Sequence, residues 1–420
     1  MAVTAASATE TVEAVFRIES ARIIAGVARI VRDVGIAEEL AQDALVAALE
    51  QWPEAGVPDR PGAWLMTTAK RRAIDLVRRK ETYARKLAEV GRALEDVPPP
   101  DPADFDDPDR IDDDLLRLIF TACHPVLSTE ARIALTLRLL GGLTTQEIAR
   151  AFLAPESTVA QRVVRAKRAL AKAEVPFEVP HGADRDARLA SVLEVIYLIF
   201  NEGYSATAGD DLVRPALCED ALRLARVLAG LLPKEPEVHG LVALLEFQAS
   251  RIPARTGPDG APVLLADQNR ARWNRLFIRR GIEALRYAGD GPYSVQAAIA
   301  ACHARTMRYE DTDWASIAVL YARLKALVPS PVVELNRAVA VAMSEGPDAG
   351  LALVDALGDE PALKGYHLLP SVRGDLLERL GRPAEARAEF ARAASLTRNA
   401  REREHLERRA ARLRGDDESQ

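Results

Sequence analysis

The stretch Leu143–Lys172, LTTQEIARAFLAPESTVAQRVVRAKRALAK, decides how the rest of the chain is read. Thr144 and Glu147 have the T-x-x-E spacing of a capping box, which opens a short helix over Thr145–Phe152. Leu153-Ala154-Pro155 reads as a three-residue turn, and a longer helix follows over Glu156–Ala171. In that helix Val159, Val163, Ala166 and Leu170 fall at steps of 4, 3 and 4, one apolar stripe. Ser157, Thr158, Gln161, Arg162 and Arg165 are left on the outer face. Short helix, tight turn and longer helix with a basic polar face describe a helix-turn-helix. Arginine suits guanine, glutamine suits adenine, and Ser or Thr serves either base or phosphate. A solvated helix with ordinary surface arginines has the same wheel, so the pattern alone leaves both readings open.

Charge divides the chain around this segment. Arg60–Arg92 holds ten basic residues against three acidic ones, and Arg150–Lys172 holds six against Glu156 alone. Between them Glu95–Asp114 carries ten acidic residues, one arginine and the run Pro98-Pro99-Pro100, which is expected to be a linker. The net charge of −6 over 420 residues is therefore a sum of blocks of opposite sign. With 48% apolar and 5% aromatic residues and abundant Ala, Leu and Arg, the chain is expected to be all-α, with well-packed cores.

The first basic block contains two helical stripes. In Glu38–Trp52 the residues Ala41, Ala44, Leu45, Ala48, Leu49 and Trp52 form one buried face, and Pro53–Gly62 reads as a loop. In Trp64–Lys80 a core stripe of Leu65, Ala69, Ala73 and Leu76 lies opposite Thr67, Lys70, Arg71 and Arg78. A basic stripe beside a loop containing Arg60 can track a single nucleic-acid strand and pocket an unstacked base. An amphipathic helix with solvated arginines remains the plainer reading of this helix alone.

Together these residues resemble a known family. AEELAQDALVAALEQW (37–52) with WLMTTAKRRAIDLVRRK (64–80) looks like region 2 of a bacterial extracytoplasmic-function sigma factor. Ser128–Ala171 looks like region 4 of the same group, and the two modules cover about two fifths of the chain, Val12–Lys172. The resemblance implies that Gln42 and Asp43 face the clamp of core RNA polymerase, and that region 4 docks on its flap. It implies that Arg60, Trp64, Lys70, Arg71 and Arg78 hold the −10 promoter strand. Ser157, Thr158, Gln161, Arg162 and Arg165 would enter the −35 major groove. Lys70-Arg71-Arg72 replaces the Arg-Asn-like pair common in relatives, and Pro155 stands where many have a capping Ser, which leaves the promoter sequence open.

The expected organisation is region 2 over 10–92, linker over 93–114, region 4 over 115–175 and a helical extension over 185–414. In the extension, Gly374, Gly381, Ala386, Phe390 and Ala393 match tetratricopeptide positions. Weaker copies run through Ala221, Ala225, Leu228 and Pro233, and through Ile317, Tyr321, Leu324 and Pro329. Three segments fit no plain repeat: Tyr197–Tyr204 (YLIFNEGY), Asp267–Arg270 (DQNR) and Gly291–Tyr293 leading into Gln296-Ala297-Ala298. They resemble the sigma subgroup with a long tetratricopeptide-containing extension, which implies regulation through an intramolecular contact with the sigma modules.

Other classes are weighed on the same residues. A helix-turn-helix repressor or activator would bind duplex tightly without polymerase. An enzyme would need a clustered acid/base or metal constellation; Glu194, Glu202, Asp267, Cys302 and His303 show no such spacing, so no metal, cofactor or catalytic residue is expected. Three sparse cysteines, an N-terminus without a basic or apolar run and no long apolar segment lead to the expectation of a cytoplasmic protein without membrane contact.

Overall fold

The computed structural model describes residues 5–88, 108–152, 154–205, 213–258 and 261–417. Among them the ordered elements are helices, and β pairing is limited to an isolated antiparallel bridge between Thr256 and Pro262. The all-α expectation holds. Two compact units divide the chain, Met1–Ile196 and Tyr197–Gln420.

The first unit opens with α1 (Ala5–Val31), α2 (Val34–Ala55) and α3 (Pro61–Ala88), which pack pairwise on one another. Asp33 caps α2, its Oδ1 accepting from the Gly35 and Ile36 amides at 2.7 and 3.0 Å. Ala41, Ala44, Ala48 and Trp52 are buried as the stripe predicted, and Leu45 and Leu49 are half-buried. The expected loop Pro53–Gly62 is shorter than its sequence suggests. Pro53 lies in the last turn of α2, Gly56 at φ 87° ends it, and Pro61 already begins α3.

The expected linker is also shorter. Residues 93–107 lie outside the described residues, but α4 (Pro108–Ala122) starts inside the acidic block. Its buried Asp114 forms ion pairs with Arg29 of α1 at 3.4 Å and with Arg117 at 2.6 Å. An acidic start suits a helix N-terminus, and Leu115, Leu116, Leu118 and Ile119 bury the helix against its neighbours, so composition alone hides about its first two turns. Then come α5 (Thr129–Leu139), α6 (Thr145–Ala151) and α7 (Glu156–Lys172), with α5 and α6 both packed on α7.

The next helix, α8 (Gly182–Tyr204), starts in the first unit. Its Arg188 donates to the Phe120 carbonyl at 3.2 Å and its Ser191 hydroxyl to the Cys123 carbonyl at 2.7 Å. Arg132 of α5 bonds to both Ser191 and Glu194, the latter at 3.1 Å. The start of the expected extension is thus built into the neighbourhood of α4 and α5.

The second unit continues with α9 (Pro215–Leu231), α10 (Pro236–Ser250), α11 (Arg275–Leu285), α12 (Pro292–Ala304) and α13 (Trp314–Leu327). It ends with α14 (Pro331–Ser344), α15 (Pro347–Asp355), α16 (Leu368–Arg379), α17 (Pro383–Leu396) and α18 (Ala400–Asp417). Proline opens six of these ten helices, at the position where its missing N–H costs nothing. Consecutive helices from α12 to α18 pack on one another. The α16–α17 pair is the one whose sequence matches the repeat best. A Cβ on Gly374 would come within 2.9 Å of the Phe390 ring, so only glycine permits this approach. Gly381 turns the chain at φ 70°, and Ala386, Phe390 and Ala393 are fully buried.

Candidate nucleic-acid interface

The helix-turn-helix is built from local signals. The Thr144 hydroxyl accepts from the Glu147 amide at 3.1 Å while the Glu147 carboxylate accepts from the Thr144 amide at 2.8 Å, the reciprocal box that starts α6. Pro155 precedes α7 with φ −59° and supplies no side-chain cap, as its residue type requires. Val159, Val163, Ala166 and Leu170 are all buried, so the opposite face of α7 is fixed outward. Ser157, Gln161, Arg162 and Arg165 are exposed there and Thr158 is half-buried. Among the described residues neither Arg162 nor Arg165 is held in a salt bridge, whereas Lys167 and Arg138 nearby are. Both guanidiniums can therefore meet an outside anion. Two further residues share this face. Val164, 45% exposed, is an apolar group at the height of Gln161 and Arg168, and Arg168 is exposed one turn below Arg165. The step from Gln161 to Val164 to Arg168 follows helical spacing, so the signal was present; a valine beside a buried valine stripe simply reads as core.

The first helical module presents a second basic face. Arg71 and Arg78 are exposed on α3, with Arg79 and Lys80 following, and Arg60 is exposed just before the helix. Trp64 stacks its ring edgewise on Trp52 at 5.5 Å, which ties the start of α3 to the end of α2. Lys70 departs from the expectation. It is only 7% exposed, next to α1, where its chain would be touched by a Cβ on Gly26. Position 70 follows the buried Ala69 directly, and a long aliphatic stem is carried into the interior while its charge adds to the field on Asp114. Burial nevertheless dominates at Asp114, whose carboxyl is held above its ordinary value despite Arg29 and Arg117.

Asp43 is exposed on α2 and Gln42 beside it is half-buried, and both are already engaged. Asp43 forms an ion pair with Arg72 of α3 at 3.4 Å, and the Gln42 amide donates to Glu38 at 3.0 Å. Glu38 is the residue that sequence reasoning missed. It is 4% exposed, accepts from the Arg138 guanidinium of α5 at 2.6 Å and forms an ion pair with Lys167 of α7. No local pattern marks it, because its partners lie 100 and more residues away. Beside this bridge a cleft of about 730 Å³ is lined by Arg29, Arg32, Arg117 and Lys167 together with Asp33 and Glu174.

The residues weighed for catalysis do not converge. Glu194 pairs with Arg132, Glu202 pairs with Arg214 at 2.5 Å, and Asp267 is exposed. Burial and two neighbouring arginines lower the His303 imidazole to about 3, so it is neutral. Among the described residues no group of three or more His, Cys, Asp or Glu side chains is arranged to hold a metal ion, and no helix is long and apolar enough to cross a membrane.

This geometry coincides with three family models: sigma-70 region 2 over residues 16–83, sigma-70 region 4 over 117–170 and a family of unknown function (DUF6596) over 188–289. The chain is 33% identical over 150 residues to the ECF RNA polymerase sigma factor SigK of Mycobacterium sp. (strain KMS), covering 34% of this chain and 72% of that one. SigK of Mycobacterium tuberculosis (strain ATCC 35801 / TMC 107 / Erdman) is 33% identical over 153 residues, 36% of this chain and 78% of its own. An uncharacterized protein of Rhizobium meliloti (strain 1021) is 46% identical over 387 residues, 90% of each chain. Region 2 followed by region 4 defines a sigma subunit, a transcription initiation factor that binds core RNA polymerase and promoter DNA. The chain belongs to the ECF RNA polymerase sigma factors.

Proposed function

We propose that this factor directs core polymerase to promoters with −35 and −10 elements, and that its C-terminal half, a tetratricopeptide-like array, regulates it. The observation that carries the reading is α7: a buried apolar stripe locks Gln161, Arg162 and Arg165 onto an exposed face where neither arginine is held in a salt bridge among the described residues. On this reading Ser157, Thr158, Gln161, Arg162 and Arg165 enter the −35 major groove, with Val164 suited to a thymine methyl group. Arg60, Trp64, Arg71 and Arg78 hold the unpaired −10 strand, while Lys70 supports the helix from within. Gln42 and Asp43 face the polymerase clamp. Region 2 spans 10–92 and region 4 spans 115–175, with the acidic linker 93–114 between them and α4 running from the end of that linker into region 4.

Regulation by the extension is supported by the bonds of Arg188, Ser191 and Glu194 to the carbonyls and Arg132 of the region-4 helices. These bonds hold the first half of α8, where the extension begins, against α5, on which α7 packs. Expression of the full chain and of a chain ending after Ile196, followed by sequencing of the transcripts that rise, tests both parts. Shared −35/−10 pairs upstream of those transcripts are expected, with output that differs between the two forms. The absence of any common element contradicts the promoter reading, and equal output from both forms removes the regulatory role.

A further inference from the structure

The three segments that fit no repeat come together in the second unit, around arginines that bond to no carboxylate among the described residues. From the first, Tyr204 lies with its ring 3.8 Å from the Arg255 guanidinium carbon. Tyr197 places its ring 5.5 Å from Tyr293 of the third segment and bonds to Gln296 at 3.2 Å. From the second, Gln268 accepts from the Arg251 Nε at 3.4 Å, and the buried Arg270 stacks over Trp273 at 5.1 Å. Arg251 lies over the same Trp273 ring at 5.4 Å.

Charge is what sets this region apart. Elsewhere in the unit, arginines meet carboxylates: Arg214 with Glu202, Arg226 with Glu246, Arg373 with Asp355 and Glu389. Among the described residues none of Arg251, Arg255 and Arg270 bonds to a carboxylate. Arg251 is met by the amides of Gln248 and Gln268. Arg270 is fixed by the His303 carbonyl at 2.9 Å, by Thr306 and by Thr312 at 3.0 Å. Glu402 lies within the field of Arg255, but its carboxylate is taken by His367 at 3.3 Å and Thr397 at 2.8 Å. Burial, with Arg255 beside Arg251 and Arg251 beside Arg270, pulls both below the ordinary guanidinium value, although Glu310 and Asp311 act in the opposite direction on Arg270.

Unpaired donors accompany the unpaired charge. Nε of Arg255, Nε of Arg270, Nε1 of Trp273 and the Tyr204 hydroxyl are buried atoms without a partner among the described residues, and Arg270 and Trp273 are 3% and 2% exposed. The Tyr321 hydroxyl, within the field of Arg251, is pushed up to about 12 by burial and stays protonated. A region rich in donors and poor in acceptors is costly when empty and complementary to an anion. Arg270, whose two terminal nitrogens are engaged by the chain, acts as the fixed base of the region, whereas Arg251 and Arg255 are half-buried.

We propose that Arg251 and Arg255 form a binding site for a small organic phosphate monoester. Its phosphate lies between the two guanidiniums, and Tyr204, Tyr197 and Tyr293 flank the organic part. Two guanidiniums that bond to no carboxylate among the described residues match a dianion better than a carboxylate, and their planar forks suit phosphate oxygens. The three tyrosine rings favour a flat or apolar substituent on the ester. Such a site gives the extension a small-molecule ligand. It is a statement about binding alone, so its test does not depend on transcription by the factor.

The test uses the full chain with phenyl phosphate as probe, and with inorganic phosphate and benzoate as the arms that separate the two halves of the ligand. Calorimetry and thermal unfolding should show saturable binding of phenyl phosphate, weaker binding of inorganic phosphate and weaker still of benzoate. R251Q and R255Q should each weaken the phosphate ester by about tenfold or more. Phenylglyoxal modification of the unaltered chain, mapped by mass spectrometry, should be blocked at Arg251 and Arg255 by phenyl phosphate, a readout that needs no variant to fold. Benzoate binding as tightly as phenyl phosphate overturns the phosphate assignment. No saturable binding up to about 10 mM, or arginine modification unchanged by the ligand, overturns the site itself.

Discussion

The carboxylate of Glu38 and the guanidinium of Arg138 meet at 2.6 Å although they stand 100 residues apart, and the same carboxylate pairs with Lys167 of α7. Regions 2 and 4 are thus clasped through a nearly buried ion triad. On the proposed reading the two regions serve elements about 25 base pairs apart, roughly 85 Å of duplex at 3.4 Å per pair. On that reading a clasp that brings α2 and α7 together is expected to open before both elements are held.

Glu38→Gln should therefore loosen the first unit and favour promoter engagement. Removing one partner of a buried pair strands the other charges, and with Arg138 and Lys167 each about one-fifth exposed the cost should sit near the low end of the usual range, about 3 kcal/mol. A double-mutant cycle with Arg138→Met, followed by urea unfolding, checks this. Strictly additive effects would show that the pair carries no coupling.

Arg162→Ala and Arg165→Ala should weaken −35-dependent transcription by the holoenzyme. Every phosphate that α7 no longer neutralises should make the dependence of binding on log salt shallower by about 1. Filter binding across a salt series measures the slope. An unchanged slope with unchanged output would remove α7 from the duplex.

Much of this was legible in the sequence because it is local. The capping box at Thr144 and Glu147 and the α7 stripe each lie within one helix, where spacing determines contact, and the Gly374–Phe390 pair joins two consecutive helices whose repeat pattern marks it. What was missed depends on distance. Glu38 looks like an ordinary N-terminal acid of a helix until α5 and α7 fold back on it. Lys70 looks like a member of a basic stripe until α1 covers it. The acidic block hid about the first two turns of α4, since composition reports the average of a segment and Asp114 is buried by the apolar residues that follow. The convergence of Tyr204, Arg251, Arg255 and Trp273 needed the tertiary fold, although its three segments stand out in the sequence as foreign to the repeat.

Phe390→Ala should destabilise the second unit by about 3–5 kcal/mol, since it removes a fully buried ring that packs on Gly374 and under Arg409. Gly374→Ala should also destabilise it, because the new methyl meets the Phe390 ring. Unfolding by urea, followed by tryptophan fluorescence, checks both. A neutral Gly374→Ala would contradict the close packing of α16 on α17.

His303 predicts how stability depends on pH. Its folded value of about 3 lies below the ordinary 6.5, so the folded chain keeps the ring neutral while the unfolded chain takes up a proton. Stability from this group is complete above about 6.5 and falls as pH drops toward 3, by up to about 1.4 kcal/mol per unit. Unfolding midpoints of the unaltered chain and of His303→Gln at pH 7 and 5 should converge at the lower pH. A constant difference would show that His303 titrates as it does in the unfolded chain.

Thiol reactivity should follow burial. Cys123, which shares a hydrogen bond with Thr136 at 3.3 Å, is pushed up to about 11, and Cys218 to about 12. Neither should react with iodoacetamide in the native chain at pH 8 over a time that labels both in urea. Native labelling at Cys123 would contradict the packing of α4 on α5.

The most direct test of the account is transcription initiation itself. Core RNA polymerase should be mixed with the full chain, with Glu38→Gln and with the chain ending after Ile196, on a promoter taken from the transcripts that rise on expression. A stable holoenzyme and permanganate-reactive thymines at the −10 element are expected, the reactivity abolished when Arg71 and Arg78 are replaced by Ala. Failure of every form to bind core polymerase, or tight duplex binding that neither needs polymerase nor opens the −10 element, would contradict it.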